Sequence, residues 1–350
     1  GAQTVDEDDA GGTPYGQGAD SLVVDGAGGD ITINTSDDSD IVVTGFELAQ
    51  DAYDILSADG EAIVIADGGQ ISVLDNSTAP TDFEEGSIIR FGTDVTGQTG
   101  IIVMEDNNDI LSFRGTVDIQ GNSLLITSGT DTSGVNLTQL LDGADFDRSD
   151  SDEDIRFQAT SSLVGTGDIT VTAEANVQLL ADNSSTFSGN WFVVGGILDD
   201  TTNIQSPRIF ALANGSLGTG TVTLDNTNAE IRIGDGVTVD NQITMTDTGG
   251  NKFIQWDGFT SQVHTGNIIS EEIAEQNAHL LVQNEANTVT LSGQLSGAGG
   301  YEKIGAGTII LTNPNNSADA TDNFRISDGT LVIAADGAGN GGFMDLRGVD

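Results

Sequence analysis

GAGGYEKIGAGTIILTNPNNSADATDNFRISDGTLVIA, residues 297–334, is the stretch that decides the fold. Its glycines punctuate short runs in which apolar and polar residues alternate. In GTIILT the residues Ile309, Ile310 and Leu311 make an almost continuous apolar run. In FRISDGTLVIA, Phe324, Ile326, Leu331 and Ile333 fall at even spacing, interrupted by Asp328 and Gly329. A period of two puts one face of a strand in a core and the other in water. Strands this short cannot bury a face alone, so each needs another laid against it.

The pattern has a familiar form. Gly297, Gly299, Lys303, Gly305, Gly307, Thr308, Leu311, Thr312 and Asn316, followed by Gly329, Thr330 and Leu331, fit a run GxGxLxKxGxGTLxLTxxN and a later GGTLxx. The block resembles the β-strand repeat of autotransporter passenger domains, with Tyr301 in place of a small aliphatic residue and Asp328 in place of a first glycine. A second copy begins at GTGDITVTA (165–173) and runs into NSSTFSGNWFVVGGIL (183–198), where Gly196 and Leu198 take the places of Gly329 and Leu331. Between the copies, NGSLGTGTVTLDNTNAEIRIGDGVTVDNQITMT (214–246) is similar to the spacer strands of such passengers. A third beginning, GAGNGGFMDL (337–346), is interrupted at Asp350, so the chain is expected to be a portion of something longer. The resemblance covers residues 163–350. It implies a rod-like structural or adhesive module, extracellular or on the surface of a Gram-negative bacterium.

The rest of the chain follows the same strand grammar. Residues 1–20 are polar, glycine-rich and unpatterned, and read as a flexible lead-in. From Ser21 come SLVVDG, DITINT, DIVVTGFEL, EAIVIADGG and QISVLDN, then SIIRFGTDV, GIIVMED, DILSFRG, TVDIQG and SLLITSG. Each is short, rich in β-branched residues and bounded by Asp, Gly, Asn or Ser. Only residues 47–60 (ELAQDAYDILSADG) offer helical spacing, and a strand pair is favoured there. Residues 135–160 form a looser, acidic stretch.

All-strand content leaves a sandwich, a propeller or a β-helix. A 350-residue sandwich would split into domains joined by linkers, and the four prolines mark no linker. Blade-length repeats with aromatic marks are missing. The expectation is therefore one continuous right-handed parallel β-helix (a β-solenoid) over 21–350, its hand set by the crossover rule for parallel strands. Aromatic residues are 5% of the chain, which suits a narrow core of Val, Ile and Leu. Turns of about twenty-odd residues stacked at about 4.8 Å would give a rod on the order of 70 Å long.

Composition excludes several partners. The chain has 55 acidic and 10 basic residues, a net charge of −45. Nucleic acid and anionic membrane surfaces are held through many Lys and Arg, which are too sparse here. No run of eighteen apolar residues suits a membrane helix. There are no cysteines, so stability rests on stacking and hydrogen bonds. The carboxylates give solubility and mutual repulsion, so side-by-side association into filaments or a surface layer would need divalent bridging.

Chemistry is thinly marked. The densest acidic loop holds Asp142, Asp145, Asp147, Asp150, Asp152, Glu153 and Asp154. Of these, Asp145, Asp147, Asp150, Asp152 and Asp154 are the candidate calcium ligands, because alternate carboxylates can converge on a hard cation. The loop lacks the glycine and closing glutamate of an EF-hand, and a solvated loop is the competing reading. EDNND (105–109) and SDDSD (36–40) are weaker versions, and DGAGGDITI (25–33) is a single partial match to a calcium roll. Carboxylates are too many to single out a glycosidase pair. Arg90, Arg114, Arg148, Arg156, Arg208 and Arg232 show no grouping along the chain for a lyase, and His264 and His279 have no metal-ligand spacing. No GxSxG or phosphate loop stands out. The expectation is no enzyme activity and no cofactor beyond calcium. Of Trp191 and Phe192, only one can face a thin core. The other, and Trp256, are candidates to stack on a glycan or a protein surface.

Overall fold

The computed structural model describes residues 3–6, 21–24, 29–34, 40–48, 53–57, 62–73, 81–93, 97–104, 110–128, 154–173, 175–197, 204–271, 278–316 and 324–334. Among them there is no helix, and the strands lie in long parallel sheets. The protein is a parallel β-helix with three faces. Within a turn the chain runs along one face and then bends to the next, though some turns lack a strand on one of the faces.

Face 1 is a 13-stranded sheet running from Gln3–Asp6 to Phe324–Ile326. Its register is regular: Arg208, Glu230, Phe253, His279, Glu302 and Arg325 stack in one column. Face 2 begins with Ile88–Phe91, Thr116–Gln120 and Ser162–Gly165. Its place in the turn is taken later by a 5-stranded sheet from Thr238–Val239 to Thr330–Ile333. Face 3 holds Thr99–Met104, Ser123–Ser128, Ile169–Thr172 and Trp191–Val194, and continues to Leu295–Ser296. Ile41–Leu48 and Ala62–Val73 are long enough to bend across the corner. Ala62–Ile65 pairs with Ile88–Phe91, while Gln70–Val73 pairs with Ile101–Met104. Faces 2 and 3 are therefore one 14-stranded sheet at this end. Residues 47–60 contain strand, as favoured, in Ile41–Leu48 and Tyr53–Ser57.

Alternation sends every second side chain inward. In Arg208–Ala211, Ile209 and Ala211 are buried while Arg208 and Phe210 lie outside. The core is aliphatic but not only so. Phe46, Phe83, Phe113 and Phe157 form an internal ladder with successive ring centroids 5.9, 5.2 and 5.3 Å apart. Trp191, Trp256, Phe187 and Tyr301 are also fully buried. The sequence reading of a Val, Ile and Leu core underestimates this, because few aromatics still fill an axis when the turns place them in line.

The corner between faces 2 and 3 explains many of the glycines. An added Cβ at Gly189 would lie 1.6 Å from the Gly167 carbonyl oxygen, and one at Gly220 would lie 1.9 Å from that of Gly189. Backbones of successive turns touch here, and only hydrogen fits between them. Where Asn241 takes the corner instead, its Nδ2 donates to the carbonyls of Gly218 and Gly220 at 3.1 and 2.8 Å. Such contacts satisfy backbone groups that the bend removes from the ladder.

Two details of the repeat reading change. FRISDGTLVIA is two strands on two faces, Phe324–Ile326 and Thr330–Ile333, because Gly329 turns the chain at φ 75°. Ile326 and Ile333 are exposed on the last described rung. Gly196 is not the structural counterpart of Gly329. It belongs to an antiparallel pair, Gly196–Ile197 with Ile204–Gln205, which leaves the stacked faces. Leu198 lies outside the described residues. Local sequence similarity fixed neither face nor register, which depend on the lengths of the intervening turns.

Candidate functional site

The outward side of face 1 brings together several arginines and aromatic residues. One column runs Asn176, Arg208, Glu230, Phe253, His279, Glu302, Arg325, and its neighbour runs Arg156, Gln178, Phe210, Arg232, Gln255. Strand alternation points each of these residues outward, and parallel register lines them up rung over rung, so closely that Asn176, Glu230, Gln255, His279 and Glu302 are covered by their neighbours. Arg156, Arg208 and Arg232, far apart in the sequence, fall within these two columns, because positions twenty-odd residues apart share a column. The usable signal was a repeated triplet of two polar or aromatic residues around one aliphatic: RIF, EIR, FIQ.

The contacts are specific. Glu230 is held by Arg208 Nε and Arg232 Nε, each at 3.0 Å. The Arg232 guanidinium carbon lies 5.5 Å from the Phe210 ring centre, a cation–π arrangement. Phe253 and His279 stack with centroids 4.8 Å apart and planes 13° from parallel. Below them, Glu302 is 3.4 Å from His279 Nδ1 and 3.5 Å from Arg325 Nε. Burial pulls the His279 pKa below its ordinary value; Glu302 opposes this and Arg325 adds to it. The pair of exposed Arg325 with Glu302 contributes about 0–1 kcal/mol, so it orders side chains more than it stabilises the fold. Phe259, in the turn between Lys252–Trp256 and Gln262–His264, is 74% exposed.

Both lysines of the chain point inward. Lys303, at the lysine position of the repeat, donates Nζ to the carbonyls of Ile304, Gly305 and Asp328 and is fully buried. Lys252 likewise donates to the carbonyls of Thr248 and Gly250 at 2.6 and 3.0 Å. They tie corner backbone together, so the cationic groups on the outside are arginines.

The aromatic candidates divide by alternation. Trp191 is buried, with Nε1 donating to the Leu217 carbonyl at 3.0 Å, and Phe192 takes the outward place. Trp256 is also fully buried, directly above Val282 in register, and cannot meet a glycan. The outward aromatic of its strand is Phe253. His264 is interior too, its ring edge-on to Trp256 at 6.2 Å, and burial lowers its pKa to about 4.

Of the calcium candidates, Asp145, Asp147, Asp150 and Asp152 lie outside the described residues, as do 105–109 and 36–39. Asp154 opens the strand Asp154–Phe157, its backbone in register with Ile110 and Asn176. A different group of carboxylates does meet: Asp54, Asp82 and Glu84 each bring one oxygen within 4.8 Å of the others. Asp40, from the SDDSD run, pairs with Arg90 at 2.6 Å and accepts from the Ala62 amide.

No family model matches the chain, and no solved structure does. Over 97 residues, 28% of this chain, it is 36% identical to "Adhesin BmaC autotransporter" of Brucella suis biovar 1 (strain 1330). This chain is similar, over that segment, to an autotransporter adhesin. The matched segment spans 2% of that protein's length.

Proposed function

We propose that the chain is an extracellular, non-catalytic adhesive module of an autotransporter-type surface protein, and that the outer side of face 1 is its contact surface. The observation carrying this is the arginine and aromatic strip on an otherwise acidic exterior. Stacked turns hold it flat and rigid, so several rungs can meet one ligand with little ordering cost. Half-buried Phe253 and Phe210 and exposed Phe259 offer apolar surface for sugar rings or apolar side chains. The half-exposed Arg208 and Arg232 and the exposed Arg325 offer directed hydrogen bonds beside them. A glycan is the ligand class that uses both. The similarity to an autotransporter adhesin supports the same reading.

The test is binding of the immobilised chain to a glycan array and to intact host cells. Phe259→Ala and the pair Phe253→Ala with Arg232→Ala should lose most of the capture while keeping the strand signal in circular dichroism. Unchanged capture by both variants would remove face 1 from the proposal. Trp256→Ala should lower thermal stability instead, since its ring lies in the core. Assembly is a second part of the proposal: lateral packing of rods this acidic needs divalent bridging, so filaments seen by negative stain should disperse in chelator.

A further inference from the structure

A second site lies on face 1 near the other end. Asp54 and Asp82 are register partners on adjacent parallel strands, and Glu84 follows two positions after Asp82. The Glu84 amide donates to the Ile55 carbonyl at 2.8 Å, fixing it beside the Asp54 strand. Like charges stacked on neighbouring strands repel one another. One arginine offsets them in part: Arg114 Nη2 is 2.7 Å from Asp82 Oδ2, and Nη1 is 3.5 Å from Glu84 Oε1. Three carboxylates and one guanidinium leave a local charge of −2.

The second oxygen of Asp82 shows what is lacking. Asp82 is 4% exposed, and its Oδ1 is buried with no hydrogen-bond partner among the described residues. A buried carboxylate oxygen without a donor is costly, and a chain this rich in Thr, Ser and Asn has donors to spare. From the three-carboxylate convergence together with this orphaned oxygen, we propose that Asp54, Asp82 and Glu84 bind a divalent cation. Calcium fits best: it takes oxygen ligands in irregular geometry, whereas magnesium demands a near-ideal octahedron. A divalent ion would neutralise the residual charge and give Asp82 Oδ1 a partner. It would also pin the strands Tyr53–Ser57 and Thr81–Phe83 together at a point where like charges otherwise push them apart.

Many surface carboxylates bind calcium weakly, so the experiment must isolate one site. Calorimetric titration of the whole chain with calcium chloride in physiological salt would compare the wild type with Asp82→Asn, Glu84→Gln, Asp54→Asn and a charge-matched control, Glu271→Gln. Glu271 is exposed and outside this group. The wild type and the control should show one saturable class, with a dissociation constant of about 10⁻⁴–10⁻³ M as in extracellular calcium modules. The other three variants should lose it. Should Asp82→Asn fail to fold, the more exposed Asp54 and Glu84 variants decide the matter. Superimposable isotherms for the control and those two variants would overturn the site.

Discussion

The interior of this solenoid is sensitive to individual side chains, and His264 shows it most directly. It stands in an inward column between Val239 and Leu291, and neither ring nitrogen has a hydrogen-bond partner among the described residues. Burial alone depresses its pKa to about 4, against an ordinary value near 6.5. Between those values the unfolded chain binds the proton and the folded chain does not. The stability tied to the neutral ring is therefore complete above pH ~6.5 and is lost as pH falls toward 4. The loss is on the order of 3 kcal/mol. His264→Leu matches the Leu291 position of the same column and should remove this component. Urea midpoints of both proteins should diverge as pH falls from 7 to 4, the variant losing less. Parallel curves would mean that the imidazole is solvated or paired in solution.

At the scale of the element, the corner between faces 2 and 3 limits the fold more than strand propensity does. Gly220→Ala would place a Cβ against the Gly189 carbonyl, and the atoms it meets are all backbone, with no flexible side chain to yield. A loss of about 3 kcal/mol or more is expected. Gly236 is a useful contrast. Its φ of 72° is left-handed, but nothing lies within 4 Å of an added Cβ, so Gly236→Ala should cost only the conformational strain, about 1–2 kcal/mol. Thermal melts of the two variants separate contact from conformation. Equal costs would mean that the corner relaxes. The short glycine-bounded runs were legible in the sequence, and so was their strand character. Not legible was which glycines meet across turns, since Gly189 and Gly220 touch only because the intervening residues complete one circuit.

For the whole molecule, the stacked architecture makes stability a sum of local turn energies and contacts between neighbouring turns. Glu230 sits on Arg208, and Phe253 sits on Glu230. Deleting residues 230–252 would remove one circuit and bring Phe253 onto Arg208 with every inward column intact. The shortened chain should fold, melt cooperatively, and be shorter in small-angle scattering by about one strand spacing, ~4.8 Å. A deletion of half that length would turn the following strands onto the wrong faces and should not fold. If the full-circuit deletion also failed, stability would depend on contacts longer in range than adjacent turns.

From the residues alone, alternation, glycine punctuation and the scarcity of helix spacing were enough to specify parallel stacked strands, because each short strand has one apolar face that only a neighbouring turn can cover. The expectation that nucleic acid is no partner likewise rests on the charge balance alone. What side chains do depended on the tertiary structure. Trp256 looks like a surface candidate until register puts it inside, while Arg156, Arg208 and Arg232, far apart in the chain, come together on face 1. Asp54, Asp82 and Glu84 meet for the same reason. Neighbours across turns are set by the number of residues in each circuit, and that number varies with loops whose length no local pattern reveals.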